Sequence, residues 1–169
     1  MKFIADLHIH SRFSRATSKS LTISELTYWA GIKGIDLLGT GDITHPEWMT
    51  EQEESLEEGE DGLFSVKPAL LRQVQQHYQL GDAIIPRFML SGEISSIYKR
   101  HDKTRKVHNL VFFPSFAAAR QFAAKLGAIG NIHSDGRPIL GLDSRDLLEL
   151  VLETDPRAYL IPAHIWTPH

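Results

Sequence analysis

The chain contains no cysteine. That absence removes disulfides, thiolate metal sites and cysteine nucleophiles together, so any bound metal must be held by His, Asp or Glu. Long apolar runs are missing too: no segment approaches the ~18 residues of a membrane span. The leading MKFIADLHIH meets Asp6 too early to contain the apolar core of a signal peptide. A cytoplasmic address without a membrane partner is therefore expected. There is no excess of positive charge, since the formal net charge is −3. A polyanion would have to be met by a local basic patch. Internal repeats and low-complexity segments are likewise lacking.

What is present suits one globular domain or a large part of one: 169 residues, of which 42% are hydrophobic and 23% charged. FIADL has the length of a strand. Thr22 stands three residues before Glu25, a capping-box spacing, and Ile23, Leu26 and Ala30 follow on one helical face that Gly31 and Gly34 close. IDLLGTGD then reads as a buried strand entering a turn, so strand, helix and strand imply a parallel crossover. Pro46 opens a further helix. The stretch 47–61 carries eight acidic residues and no Lys or Arg, which predicts a solvated helix and loop. Pro68 starts an amphipathic helix with Leu70, Leu71, Val74 and Tyr78 on one side, closed by Gly81. AIIPRFMLSGEIS has strand character.

SSIYKRHDKTRKVHNLVFFP predicts a hairpin turning near residues 101–104. Ser115 caps a helix bearing Phe116, Ala119, Phe122, Ala123 and Leu126, and Gly127 stops it. NIHSDGRPILGLD is a Gly/Pro-punctuated connection. Asp143 or Ser144 caps the last helix, Pro156 halts it, and AYLIPAHIW is a final strand. This alternation predicts an α/β fold, a barrel in preference to an open sheet.

In a strand, residues i and i+2 project to the same side, so His8 and His10 form a ready metal-binding pair. Asp42, Glu93, His108 and His164 are read as lying where strands end, and in a parallel barrel such ends converge on one face. A His/carboxylate cluster without sulfur suits zinc or manganese, and its carboxylates also accept magnesium. Metals lower the pKa of bound water to roughly 7, and a pair of them can clamp a phosphoryl group, so phosphoester hydrolysis is the natural chemistry.

DLHIHS, the TGD turn, the GE strand, HNL and PAH resemble the PHP (polymerase and histidinol phosphatase) phosphoesterases. More narrowly, DLHIHSRFSRATSKSLT, GTGDITHPEW, SGEISSIYKR, VHNLVFFP, DGRPILGLD and IPAHIWTP are similar to the N-terminal part of endonuclease Q family proteins. The resemblance spans essentially the whole chain in the family's order. It implies a distorted, seven-stranded β/α barrel, present here only in part, with up to three divalent metals. The implied activity is nicking DNA on the 5′ side of deaminated bases (uracil, hypoxanthine, xanthine) or at abasic sites. His8, His10, Asp42, Glu93, His108 and His164 match the ligand positions, and all but His108 are expected to take a catalytic part.

Two departures stand out. Arg15 and Ala16 occupy the place of a further family ligand, which leaves His45 as a substitute or the cluster with fewer metals. The family's later Asp-x-His element has no counterpart before the chain stops at HIWTPH, so residues 1–169 are expected to be a single PHP-like domain forming an N-terminal fragment of a longer protein, incomplete for activity. His169 stands where the resemblance implies an aromatic and reads as the start of an appended tag.

Arg12, Arg15 and Lys19 follow the His pair and suit a substrate phosphate. Five of the eight residues 99–106 are Lys or Arg, so Arg100 and Lys106, with Lys99, Lys103 and Arg105, offer phosphate contacts on the hairpin or simple solvated charge. Asp135 and Arg137 read as turn-formers, His133 as structural, and His77 and His101 as solvent-facing. Trp29, Trp48 and Trp166 read as core or rim packing. Damaged DNA is the implied partner, and a sliding clamp cannot be read from the residues. Two alternatives remain: a small-molecule phosphatase of the same superfamily, and a non-catalytic domain whose metals only hold the fold.

Overall fold

The computed structural model describes residues 2–79, 81 and 83–167; His169 and the reading attached to it lie outside them. Among the described residues, eight strands form one mixed sheet that curls into a half-barrel, flanked by five α-helices. The sheet is organised around one long strand. This is β5 (Arg87–Arg100), which pairs in parallel with β2 (Leu37–Gly39), itself parallel to the short edge strand β1 (Ala5–Asp6). On its other side β5 meets β4 (Phe64–Val66) and then β6 (Lys103–Phe113), both antiparallel. β3 (Leu56–Glu58) pairs with β4, β7 (Ile139–Leu140) lies parallel to β5, and β8 (Tyr159–Ala163) is antiparallel to β6.

The predicted crossover is present: β1, α1 (Ile23–Lys33) and β2 form a parallel unit. The Thr22 hydroxyl accepts from Glu25 N, satisfying a donor the helix leaves open, and Gly34 at φ 67° ends the helix, while Gly31 lies inside it. Parallel pairing does not extend around the barrel, since β4, β6 and β8 run antiparallel to their neighbours. The acidic stretch is also more ordered than predicted. In α2 (Pro46–Ser55) the apolar positions Trp48 and Met49 are buried, and the β3/β4 ladder follows, stabilised by Leu56, Phe64 and Val66 in the core. Acidic composition hid these positions because the glutamates occupy the outer faces.

α3 (Pro68–Tyr78) ends on Gln79 in the left-handed region, two residues before the expected glycine. Ser115 caps α4 (Phe116–Gly127), and Asp143, rather than Ser144, caps α5 (Ser144–Thr154) by accepting from Arg145 N. Phe122, Leu126, Leu147 and Val151 pack from these helices into the shared core with Phe88, Leu90 and Ile94. Trp48 is wholly buried, whereas Trp29 is 47% and Trp166 92% exposed. His77 and His101 face solvent as expected.

The β5/β6 hairpin turns on His101 and Asp102, with φ of 51° and 59°. Positive φ at both central residues is the signature of the turn that matches strand twist and favours Asn-Gly. Replacing Asp102 by Gly removes the steric penalty of a Cβ at positive φ. The expected result is stabilisation by roughly 0.5 kcal/mol, a Tm rise of about 1–2 °C in a thermal melt.

Candidate metal centre

Glu93 is the hub. It lies mid-strand in β5, 1% exposed, instead of at a strand end. In the β5/β6 register Ser95 lies opposite His108 and Glu93 opposite Leu110, so Glu93 and His108 share a face, and Ala163 of β8 lies opposite His108. His164 follows directly, at φ 57°, where the chain leaves β8. His8 and His10 are not within a strand; they lie in the extended segment beyond β1, which runs beside the Gly39–Gly41 stretch.

The carboxylate divides these imidazoles into two pairs. Glu93 Oε2 is 3.4 Å from His8 Nε2 and 3.0 Å from His10 Nε2. Glu93 Oε1 is 2.6 Å from His108 Nδ1 and 3.6 Å from His164 Nε2. Among the described residues, two three-residue groups therefore have the geometry to hold a metal ion, His8/His10/Glu93 and Glu93/His108/His164. One buried carboxylate common to both is the arrangement of a bridging ligand. The donor set of imidazole nitrogen and carboxylate oxygen, without sulfur, fits a divalent cation in each.

Asp42 is brought to the site yet belongs to neither group. It is fully buried and accepts from Ser11 N (2.6 Å), Ser11 Oγ (2.7 Å) and Ser14 Oγ (2.9 Å) through Oδ2, while Oδ1 lies 3.0 Å from His10 Nδ1. Its place is behind His10, fixing that ring and leaving Nε2 toward Glu93; carboxylate–histidine pairs of this kind orient metal ligands. This departs from the ligand role expected of Asp42. The turn that holds it is tightly built: Gly41 and Asp42 have φ of 67° and 51°, and Trp48 Nε1 donates to the carbonyls of Thr40 and Gly41. His45 is not brought to the cluster. Its Nε2 donates to the His133 carbonyl at 3.1 Å and its ring stacks on Phe13.

Asp135 forms the expected turn, accepting from Arg137 N. Arg137 does more than the sequence reading assigned: its Nη1 reaches 3.5 Å from Glu93 Oε2. It is carried there by β7, whose Ile139 pairs with Ser95 of the central strand, a register that no local pattern in the sequence announces. Arg12 is paired with Glu51 and Arg15 with Asp135, and Lys19 lies over the Arg12 carbonyl. Arg100 is drawn away from the cluster to Asp143.

Protonation follows from this packing. Hydrogen bonds to Asp42 and then Glu93 raise His10 from 6.5 to about 9, against burial. Burial pushes Glu93 up, but the hydrogen bond from His10 and the nearby His108, His10 and His8 outweigh it and hold it at about 2, below its ordinary 4.5. Burial lowers His108, partly offset by Glu93, and burial also lowers His45. His108 is thus kept in the neutral form a metal needs, whereas His10 must release a proton on loading.

A raised imidazole contributes stability that is full below 6.5 and lost as pH climbs through about 9. A depressed carboxyl contributes above 4.5 and loses it as pH falls through about 2. The lowered His108 and His45 oppose folding below 6.5, so the metal-free protein should melt highest near pH 6.5. Its Tm should fall by several degrees toward pH 9, at roughly 2–4 °C per kcal/mol lost. Thermal melts after chelator treatment check this.

The half-barrel that carries this His/carboxylate cluster matches part of the fold of solved endonuclease Q structures. The chain is similar to endonuclease Q in both sequence and structure. It superimposes on the lesion-specific endonuclease PfuEndoQ from Pyrococcus furiosus with a TM-score of 0.76 and 33% identity, over 98% of this chain and 35% of that one. Endonuclease Q in complex with a 27-mer duplex bearing an abasic lesion at its active site gives a TM-score of 0.75 and 33% identity, over 98% and 36% of the two chains. Among curated relatives, an uncharacterised protein of Methanocaldococcus jannaschii is 29% identical over 164 residues, which is 96% of this chain and 16% of that protein. The uncharacterised YqxK of Bacillus subtilis is 33% identical over 181 residues, 99% of this chain and 41% of its own length. The chain thus spans well under half of each of these proteins. No protein-family model matches it. Among the described residues, no helix is long and apolar enough to cross a membrane.

Proposed function

We propose that this chain is the metal-binding domain of a phosphodiester hydrolase that nicks damaged DNA, at abasic sites or 5′ to deaminated bases such as uracil, hypoxanthine and xanthine. The observation that carries the reading is the buried Glu93 carboxylate presenting one oxygen to each of two histidine pairs. His8, His10 and Glu93 would hold one divalent cation, and Glu93, His108 and His164 a second, with zinc or manganese favoured by the imidazoles. Such cations supply hydroxide near neutral pH and neutralise charge on a phosphoryl group.

The chain's own residues supply the rest. Asp42 keeps His10 in the tautomer that presents Nε2, Ser11 and Ser14 hold Asp42 in place, and Arg137 stands ready to meet an anionic substrate at the carboxylate. The DNA substrate is supported by the likeness to endonuclease Q, whose duplex complex carries an abasic lesion at its active site. A base lesion in a duplex is hidden in the stack, so a deaminated base would be flipped out to be read.

The test offers duplexes containing uracil or an abasic site, with histidinol phosphate and a nitrophenyl ester as competitors for the assignment. It uses the 169-residue chain and, in parallel, the longest natural protein that contains it. Anomalous scattering at the zinc and manganese edges identifies the metals. Lesion-dependent nicking is expected; turnover of the small esters alone would make this a phosphatase, and stoichiometric metal without turnover of either would make it a binding domain.

A further inference from the structure

The site-facing side of the hairpin continues past His108 as a basic track. Directly opposed residues of an antiparallel pair lie on one face, and the pairs Ser95/His108, Ile97/Lys106 and Lys99/Thr104 are directly opposed at two-residue intervals. Lys106 and Lys99 therefore share the face of Glu93 and His108. The alternate residues lie on the other face, as their contacts establish: Asn109 donates to Ser96 and Ser144, and Arg100 pairs with Asp143, both at the start of α5. Lys103, opposite Arg100, and Arg105, opposite Tyr98, share that second face.

Lys99 and Lys106 are exposed and have no ion-pair partner among the described residues. Each step of two residues advances the face by about 6.8 Å, comparable with the separation of neighbouring phosphates along one strand of nucleic acid. We propose that Lys106 and Lys99 form a two-phosphate track that holds the DNA backbone leading away from the metal centre, while Arg100, Lys103 and Arg105 take no part in it. This rests on the proposed DNA substrate and specifies which of the five clustered cations meets it. A composition-driven patch would use all five alike; the strand's alternation selects two.

The experiment compares variants of equal charge change on opposite faces, the double variant Lys99→Gln/Lys106→Gln against Lys103→Gln/Arg105→Gln. The probe is a fluorescent duplex with one abasic site, titrated with metal-loaded protein at several salt concentrations, with circular dichroism verifying the fold of each variant. Removing two phosphate contacts should weaken binding by about tenfold or more and reduce the salt slope by nearly 2. The Lys103→Gln/Arg105→Gln variant should stay within about threefold of the parent with its slope unchanged. Equal weakening by both variants, or tight binding untouched by the first, would overturn the track while leaving the DNA reading intact. Failure of the parent protein to bind the duplex at all would overturn both.

Discussion

Substituting Glu93 by Gln should abolish metal binding at both proposed sites. The amide is nearly isosteric, so packing in the sheet is preserved, but it is neutral and offers one oxygen where Glu93 offers two, each facing a separate histidine pair. Loss of an outer hydrogen-bond partner already costs metal affinity about 10–100-fold, and the loss of a ligand common to two sites should exceed that. Metal analysis after dialysis is the measurement. Retention of two ions at parental affinity would refute the bridging role. A second readout is independent of metal. In the chelated variant, His10 should titrate below about 9, because one of its two carboxylates is gone, yet stay above 6.5, because Asp42, the larger influence, remains. Imidazole resonances followed against pH give this value.

The second large effect is expected far from any ligand in sequence, at Gly136. A Cβ there would stand 2.3 Å from Asp42 Oδ2 and 2.6 Å from Ser14 Oγ. Neither can yield: Asp42 is fully buried and fixed by bonds from Ser11 and Ser14, and Gly136 N is itself bonded to the Phe13 carbonyl. Gly136→Ala should therefore cost about 3 kcal/mol, at the upper end for overpacking, and release His10 from its orienting carboxylate. A drop in Tm of some 6–12 °C together with weakened metal binding is expected. Gly34→Ala provides the contrast. That glycine carries a positive φ, 67°, and nothing lies within 4 Å of the new Cβ, so only the backbone penalty of about 1 kcal/mol should appear, with metal binding unchanged. If Gly136→Ala melts like Gly34→Ala and binds metal normally, the tight seat assigned to Asp42 is wrong.

Much of this protein is written in local pattern. Thr22, Ser115 and Asp143 announce helix starts because a short side-chain oxygen meets an unpaired N–H a few residues on, a relationship confined to neighbours in the chain. The hairpin and the first crossover were legible for the same reason. The acidic stretch was not. Its glutamates describe the solvent face, while the burial of Trp48, Met49 and Leu56 depends on what packs against them.

The sequence alone determined the donor chemistry: four histidines and one glutamate that gather at the site, no sulfur, and two imidazoles one residue apart. Only tertiary structure decided how those donors divide. Strand register fixes that Glu93 lies between two histidine pairs, that Asp42 stands behind His10 instead of beside it, that His45 turns to a carbonyl, and that Arg137 reaches the carboxylate. The physical reason is that a ligand's role is set by angstrom-scale distances between segments up to 156 positions apart, from His8 to His164. Local propensity determines an element's type; which side chains face one another is settled only when the sheet closes its register.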